Sequence, residues 1–383
     1  MRSRAFILLF GLGWLFAATA VQADLTFVLT PAGLSGAISN EVFFVGTLGN
    51  TSLTSNLFLN DIQFIFTGVA TNYLVVDTNS FFANVPGILL PGETYSGVVF
   101  GVSINPGTPP GDYFGSVTIL GGSNIFTATA LTSQTFQVSS PSASISATGA
   151  DAYKFGGVPG TFTITRMWGT NLDLAVNYAV GGTASNGFNY SSLTNSIFIP
   201  AGMISSTVPI VPLDDNLVDG DTTVILTLSV SATYNLGTPV AATVTIHDTP
   251  FNVWRLAEFG TNANISAVSG DFADPDNDGI DNLLEYALNL DPNVPAVTGL
   301  PIPQIDPACG CLTLSYTRVT SATDISYLPE SAANPGGPWS TDGITEQVIA
   351  INGMTQTIKA SDAGHPVATD GHRFMHLRIT RFP

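Results

Sequence analysis

The stretch Leu172-Asp173-Leu174-Ala175-Val176-Asn177-Tyr178-Ala179-Val180 alternates large apolar side chains with small or polar ones. Leu172, Leu174, Val176, Tyr178 and Val180 share one side, and Asp173, Ala175, Asn177 and Ala179 share the other. Successive side chains of an extended chain point to opposite faces, so this period of two is the mark of a half-buried strand. A helix would space its apolar residues three or four apart. The same alternation returns at Val224, Leu226, Leu228 and Val230, and at Val244 and Ile246. Residues 143–249 therefore read as one unit of half-buried strands.

Upstream, residues 24–138 carry no Lys or Arg. They read as short strands over 41–48, 57–66, 73–76, 95–104, 113–120 and 126–138. Breaks fall at Pro86-Gly87, Pro91-Gly92, Pro106-Gly107, Pro109-Pro110-Gly111 and Gly121-Gly122. β-Branched and aromatic runs with such punctuation predict an antiparallel, immunoglobulin-like sandwich. Asp112-Tyr113 resembles the start of an immunoglobulin-type strand with its corner tyrosine, and Gly115 stands where that fold would place a cysteine. A Ser-rich linker, Ser139-Ser140-Pro141-Ser142, is expected between the two units.

The whole chain has 383 residues, 10 Lys+Arg, 28 Asp+Glu and a formal charge of -18. Each phosphate contact calls for a Lys or Arg, so this balance argues against a nucleic-acid partner. A hydrophobic content of 45% argues against a disordered chain. Arg2 and Arg4 precede an apolar run, Ala5 to Ala20, and Val21-Gln22-Ala23 supplies small residues before Asp24. This three-part pattern predicts a secretory signal peptide over 1–23, hence export to the outside or the cell surface. No transmembrane segment is expected in the mature chain. Cys309 and Cys311 are separated only by Gly310. A bridge there closes a small, strained ring; a turn before a strand is the simpler expectation, with the redox state left open.

Between these landmarks the chain resembles the Calx-beta family. The residues that carry the resemblance are Pro159-Gly160-Thr161-Phe162-Thr163-Ile164-Thr165-Arg166, Val176-Asn177-Tyr178-Ala179-Val180-Gly181-Gly182-Thr183-Ala184 and Ile199-Pro200-Ala201-Gly202. Leu213-Asp214-Asp215-Asn216, Asp219-Gly220-Asp221 and Thr243-Val244-Thr245-Ile246-His247-Asp248 follow in order. The resemblance implies an immunoglobulin-like sandwich over 143–249, and in some members calcium held by acidic loops at one end. It makes Asp214, Asp215, Asp219, Asp221 and Asp248 calcium candidates. The ligand set departs from the family at Lys154, Asn189 and Thr222, where many members have acids.

The sharpest motif lies further on. Asp274, Asp276, Asp278, Gly279 and Glu285 satisfy D-x-[DN]-x-[DN]-G-x5-E. A loop wound around one ion turns alternate side chains inward, reverses at the glycine, and offers a backbone carbonyl from Ile280. Asn282 can then bind directly or through water, and Glu285 closes the sphere with two oxygens. The alternative is a solvated acidic turn. Val268-Ser269-Gly270 argues against an entering helix, whereas 282–288 is rich in helix formers. The segment resembles the half-EF-hand loops of dockerin and thrombospondin type 3-like repeats. It is placed in a linker over 250–299, before a small β-rich unit over 300–383.

No nucleophile elbow, His-Glu-x-x-His or phosphate loop is present. His365, His372 and His376 are weak zinc candidates because Arg373 and Arg378 lie beside them. Trp168, Trp254 and Trp339 are either sugar platforms or core. The expected fold class is all-β: tandem sandwiches, a calcium loop with one helix, and a terminal β unit. The expected function is a non-catalytic calcium-binding surface protein, adhesive or matrix-associated, contacting a surface protein or glycan. The alternatives are a carbohydrate-binding accessory protein or a secreted hydrolase.

Overall fold

The computed structural model describes residues 24–367 and 372–382, so the signal-peptide segment 1–23 lies outside the described residues. The first sandwich is built from β1 (Leu25–Leu29), β2 (Gly33–Ser35), β3 (Glu41–Asn50), β4 (Leu57–Phe66), β5 (Leu74–Asp77), β6 (Ile88–Leu89), β7 (Thr94–Ile104), β8 (Gly111–Gly122) and β9 (Thr129–Ser140). One sheet runs β1-β3-β7-β5 and the other β2-β9-β8-β4-β6. Their inward residues meet in a cluster of Phe44, Phe64, Phe100 and Phe136, with Phe44 and Phe100 stacked at 4.7 Å. The corner tyrosine is present: Tyr113 Oη donates to the Pro109 carbonyl at 2.7 Å. The Phe136 ring lies against Gly115, and a Cβ there would sit 2.6 Å from it. That ring fills the space a cysteine would take. Two short helices, α1 (Ala70–Tyr73) and α2 (Asn79–Asn84), cross between strands.

The second sandwich uses β10 (Ser142–Gly149), β11 (Asp151–Tyr153), β12 (Gly160–Met167), β13 (Leu174–Gly181), β14 (Ser196–Ile199), β15 (Ser205–Ile210), β16 (Thr222–Leu228), β17 (Asn235–Leu236) and β18 (Ala241–His247). Its sheets run β15-β12-β10-β17 and β11-β18-β16-β13-β14. The alternation at 174–180 is realised: Leu174, Val176 and Tyr178 are buried in this core with Val224, Leu226, Leu228, Val244 and Ile246. Arg166, on β12, is buried, and among the described residues it forms no ion pair. It donates to the carbonyls of Met203, Leu172, Thr170 and Pro200 at 2.5–3.2 Å.

Ser139 and Ser140 end β9 and Ser142 opens β10, and these serines are buried. The stretch expected as a linker is thus strand on both sides of Pro141. It is held because both sandwiches hydrogen-bond across it. Asp112 Oδ1 accepts from Ser139 Oγ at 2.7 Å and from Gly169 N at 2.9 Å. Asn235 Nδ2 donates to Ser140 Oγ at 2.9 Å, and its Oδ1 accepts from Ile38 N at 3.1 Å.

The segment expected as a linker over 250–299 carries more helix than its sequence reading gave it. Helix α3 (Pro250–Phe259) starts at Thr249, whose side chain accepts from Asn252 N, with proline in its first turn. Helix α4 (Ser266–Ser269) then precedes the acidic loop, and α5 (Asn282–Leu288) leaves it. The C-terminal strands are β19 (Ile302–Asp306), β20 (Cys311–Val319), β21 (Ile325–Ala332), β22 (Ile344–Asn352), β23 (Thr355–Asp362) and β24 (Phe374–Arg381). They form a β19-β20-β23-β22 sheet and a β21-β24 pair. Phe251 of α3 and Leu283, Tyr286 and Ala287 of α5 share a core with Val319, Ala322 and Ile325. Segment 250–299 and the terminal strands therefore pack as one unit. Cys309 and Cys311 are bridged, across a turn in which Gly310 has φ 65°. The left-handed glycine lets the chain turn tightly between the two cysteines, whose redox state the sequence left open.

The tie between helices and strands is Asp324, which is buried. Its Oδ1 accepts from Tyr286 Oη and its Oδ2 from Phe251 N, both at 2.8 Å. Asp324→Ala would orphan a buried hydroxyl and a buried helix N–H, so it should cost about 2–4 kcal/mol. Urea denaturation of the variant checks this, with the lost stability confined to the C-terminal unit.

Candidate metal centre

The acidic loop is shaped by its own backbone. Asp274 Oδ1 accepts from Asp278 N at 3.1 Å and its Oδ2 from Gly279 N at 2.9 Å. Asp276 Oδ1 accepts from Asp278 N at 3.2 Å, and Asp278 Oδ1 from Ile280 N at 2.8 Å. Asn277 and Gly279 both lie in the left-handed region, at φ 61° and 88°. Asn and Gly are the residues that tolerate that conformation, so the chain coils tightly here. The result brings Asp274, Asp276 and Asp278 together, each with an oxygen within 4.8 Å of the others. Among the described residues this is the one such group of metal-ligating side chains.

Glu285 reaches the same region from α5. Asp281 caps that helix, accepting from Leu284 N at 3.0 Å. Glu285 is fully buried, and neither of its carboxylate oxygens has a hydrogen-bond partner. Asp276 Oδ2 and Asn282 Oδ1 are likewise buried and unpartnered. Eight buried side-chain atoms lack a partner among the described residues, and four of them belong to this loop. Natural proteins pair nearly all such atoms, because an orphaned one forfeits its hydration. The Asn282 amide nitrogen is engaged elsewhere, donating to Val268 O at 3.0 Å and Gly270 O at 2.8 Å. These bonds fasten the incoming chain to α5. The Ile280 side chain is buried, as a position that would offer only its carbonyl allows.

The donor set is all oxygen, which suits a hard cation needing six to eight of them. The residues present fit calcium: carboxylates of Asp274, Asp276, Asp278 and Glu285, with Ile280 and Asn282 as further oxygen donors. Electrostatics point the same way. Burial, then the fields of Asp276, Asp278, Asp274 and Asp281, push the Glu285 carboxyl up to about 7. Burial also raises Asp276.

A pH dependence follows. A carboxyl raised above its ordinary value is protonated in the fold but ionised in the unfolded chain. The chelated protein should therefore lose stability as pH rises from about 4.5 to about 7. Calcium requires the ionised form, so its binding near pH 6 should release close to one proton, and near pH 8 almost none. Calorimetric titration in buffers of different ionisation enthalpy measures that release.

The candidates at the end of the second sandwich are arranged differently. Asp215, Asp219 and Asp248 converge on the Lys154 ammonium, at 3.0, 3.1 and 3.7 Å. Asn189 Nδ2 donates to Asp215 Oδ2 at 3.2 Å and to Asp219 Oδ2 at 2.8 Å. Asp214 is exposed and accepts from Asn216 N in a turn. Asp221 pairs with His247 Nδ1, and Asp151 with His247 Nε2. The C-terminal histidines are also dispersed: His365 bonds Asp362, while His376 bonds Glu330 and stacks on Trp339 at 3.9 Å. Trp254 packs against Phe251, Phe259 and Tyr286, as core. Sequence reasoning placed Lys154 among the ligand positions but missed that its amine would reach the acids themselves.

No family model matches the chain, and no curated protein matches it. Solved structures with some likeness include the apo-form Calx CBD1 domain, at 22% identity over 28% of this chain and 96% of that one, with a TM-score of 0.24. Another is the calcium binding domain CBD12 of CALX1.1, at 12% identity over 62% of this chain and 81% of that one, TM-score 0.28. A third is the D00-D0 domain of intimin, at 12% identity over 58% of this chain and all of that one, TM-score 0.28. No described helix is long and apolar enough to cross a membrane.

Proposed function

We propose that this chain is a non-catalytic, exported modular protein of the cell surface or extracellular matrix, with one calcium ion as its structural cofactor. The ion is held by the 274–285 loop and sets the C-terminal unit for contact with a surface protein or glycan. The observation that carries the reading is the fully buried Glu285 carboxylate with both oxygens unpartnered, facing the field of neighbouring aspartates. Acidic turns that merely solvate an edge keep their oxygens in water. Here the apolar side chains flanking Glu285 on α5 are core residues. The ion's charge would thus be felt directly by the packing of the terminal strands. The signal-peptide pattern at 1–23 and the tandem sandwiches support an extracellular setting.

The test is solid-phase binding of the purified mature chain to matrix proteins and surface glycans, with calcium and with chelator. Calcium-dependent retention that Asp274→Ala abolishes is the expected result. Turnover of a polysaccharide or peptide by the same preparation would overturn the non-catalytic reading.

A further inference from the structure

Lys154 is the first basic residue after Arg4 in the sequence, and its side chain is 1% exposed. Its ammonium lies among Asp215, Asp219 and Asp248, while Asn189 donates to two of the same carboxylates from another side. The ammonium is therefore a fixed positive charge with donors directed at the acids.

The cluster also lies under a joint. Asp248 Oδ2 accepts from Asp219 N at 3.0 Å, and its Oδ1 from Asn252 Nδ2 of α3 at 3.0 Å. Asn252 also reaches Leu217 O at 3.2 Å, and Asn264 bonds both the N–H and the carbonyl of Val218. Val218 packs with Phe259 and Ala263. The helical segment thus docks on the acidic loops of the second sandwich and bonds Asp248 of the buried ion group itself.

We propose that Lys154 is a built-in cation that holds this joint without a metal ion. The second sandwich then binds no calcium, and the calcium response of the chain belongs to the 274–285 loop alone. A divalent ion entering among Asp215, Asp219 and Asp248 would have to expel the ammonium and leave it buried and unpaired, which is strongly unfavourable.

Calorimetric calcium titration of the mature Asp274→Ala chain, its fold checked by circular dichroism, tests the proposal independently of the loop. With native Lys154, any calcium this chain still binds should be unaffected by Asp215→Asn. Adding Lys154→Gln should create one calcium site, which Asp215→Asn removes, whereas Lys154→Arg should create none. The proposal is overturned if the Asp274→Ala chain binds an ion that Asp215→Asn abolishes. It is also overturned if a folded Lys154→Gln chain binds none. Should Lys154→Gln fold only when calcium is supplied, that supports the proposal, since the metal then does the work of the lost ammonium. The first arm decides the matter even if this variant never folds.

Discussion

Calcium at about 100 times its dissociation constant should stabilise the C-terminal unit by about 2.7 kcal/mol over the chelated protein. For a unit of this size that is a rise in melting temperature on the order of 10 °C. Extracellular calcium modules often bind at about 10⁻⁴–10⁻³ M, so the experiment needs calcium well into the millimolar range. Asp274→Ala should remove most of the rise, because both Asp274 oxygens also accept loop N–H groups and the coil loses its first anchor. Asp214→Ala should leave the rise intact, since Asp214 only closes an exposed turn. Calorimetry of the three proteins with calcium and with chelator reads the difference. A calcium-independent transition in the native chain would mean that the loop is an acidic turn and nothing more.

Arg166→Met should be the most damaging single change in the second sandwich. The guanidinium is buried and gathers the carbonyls of Thr170 and Leu172 from the β12–β13 connection and those of Pro200 and Met203 from the β14–β15 connection. Methionine fills similar volume but donates nothing, so those acceptors must find water or stay bare. Leaving buried polar groups unmet costs about 1–3 kcal/mol each, partly relieved by rearrangement, so a loss of about 3–5 kcal/mol is expected. Arg166→Lys should recover only part of it, because a compact ammonium cannot span the same fork. Urea denaturation followed by circular dichroism measures both. A Met variant as stable as the native chain would mean that water already serves those carbonyls.

The strands were legible where burial on one face imposed alternation, as at Leu174, Val176 and Tyr178. Strands of two or three residues, such as β2 and β6, carry too few positions to show a period. Ser139 and Ser140 read as linker because serine marks loops; their burial comes from partners distant in sequence, such as Asp112 and Asn235. Helix α3 was missed although its signals were there: Thr249 as cap, Pro250 in the first turn, and Phe251, Trp254 and Phe259 spaced for one face. Within the site, Asp274, Asp276, Asp278 and Gly279 could be placed together because their coil is local. The burial of α5, and of Glu285 with it, was not legible, since the strands packed on that helix come only from Cys311 onward. Nor was the position of the Lys154 amine, which reaches acids about sixty residues away.

Backbone hydrogen exchange of the mature chain, with calcium and with chelator, tests the central claim most directly. The account predicts that calcium slows exchange in 274–288 and in the strands packed on α5, 311–319 and 325–332. Residues 24–249, including the joint around Lys154, should exchange equally in both conditions. Unchanged exchange in 274–288, or protection appearing instead around Asp215 and Asp219, would contradict it.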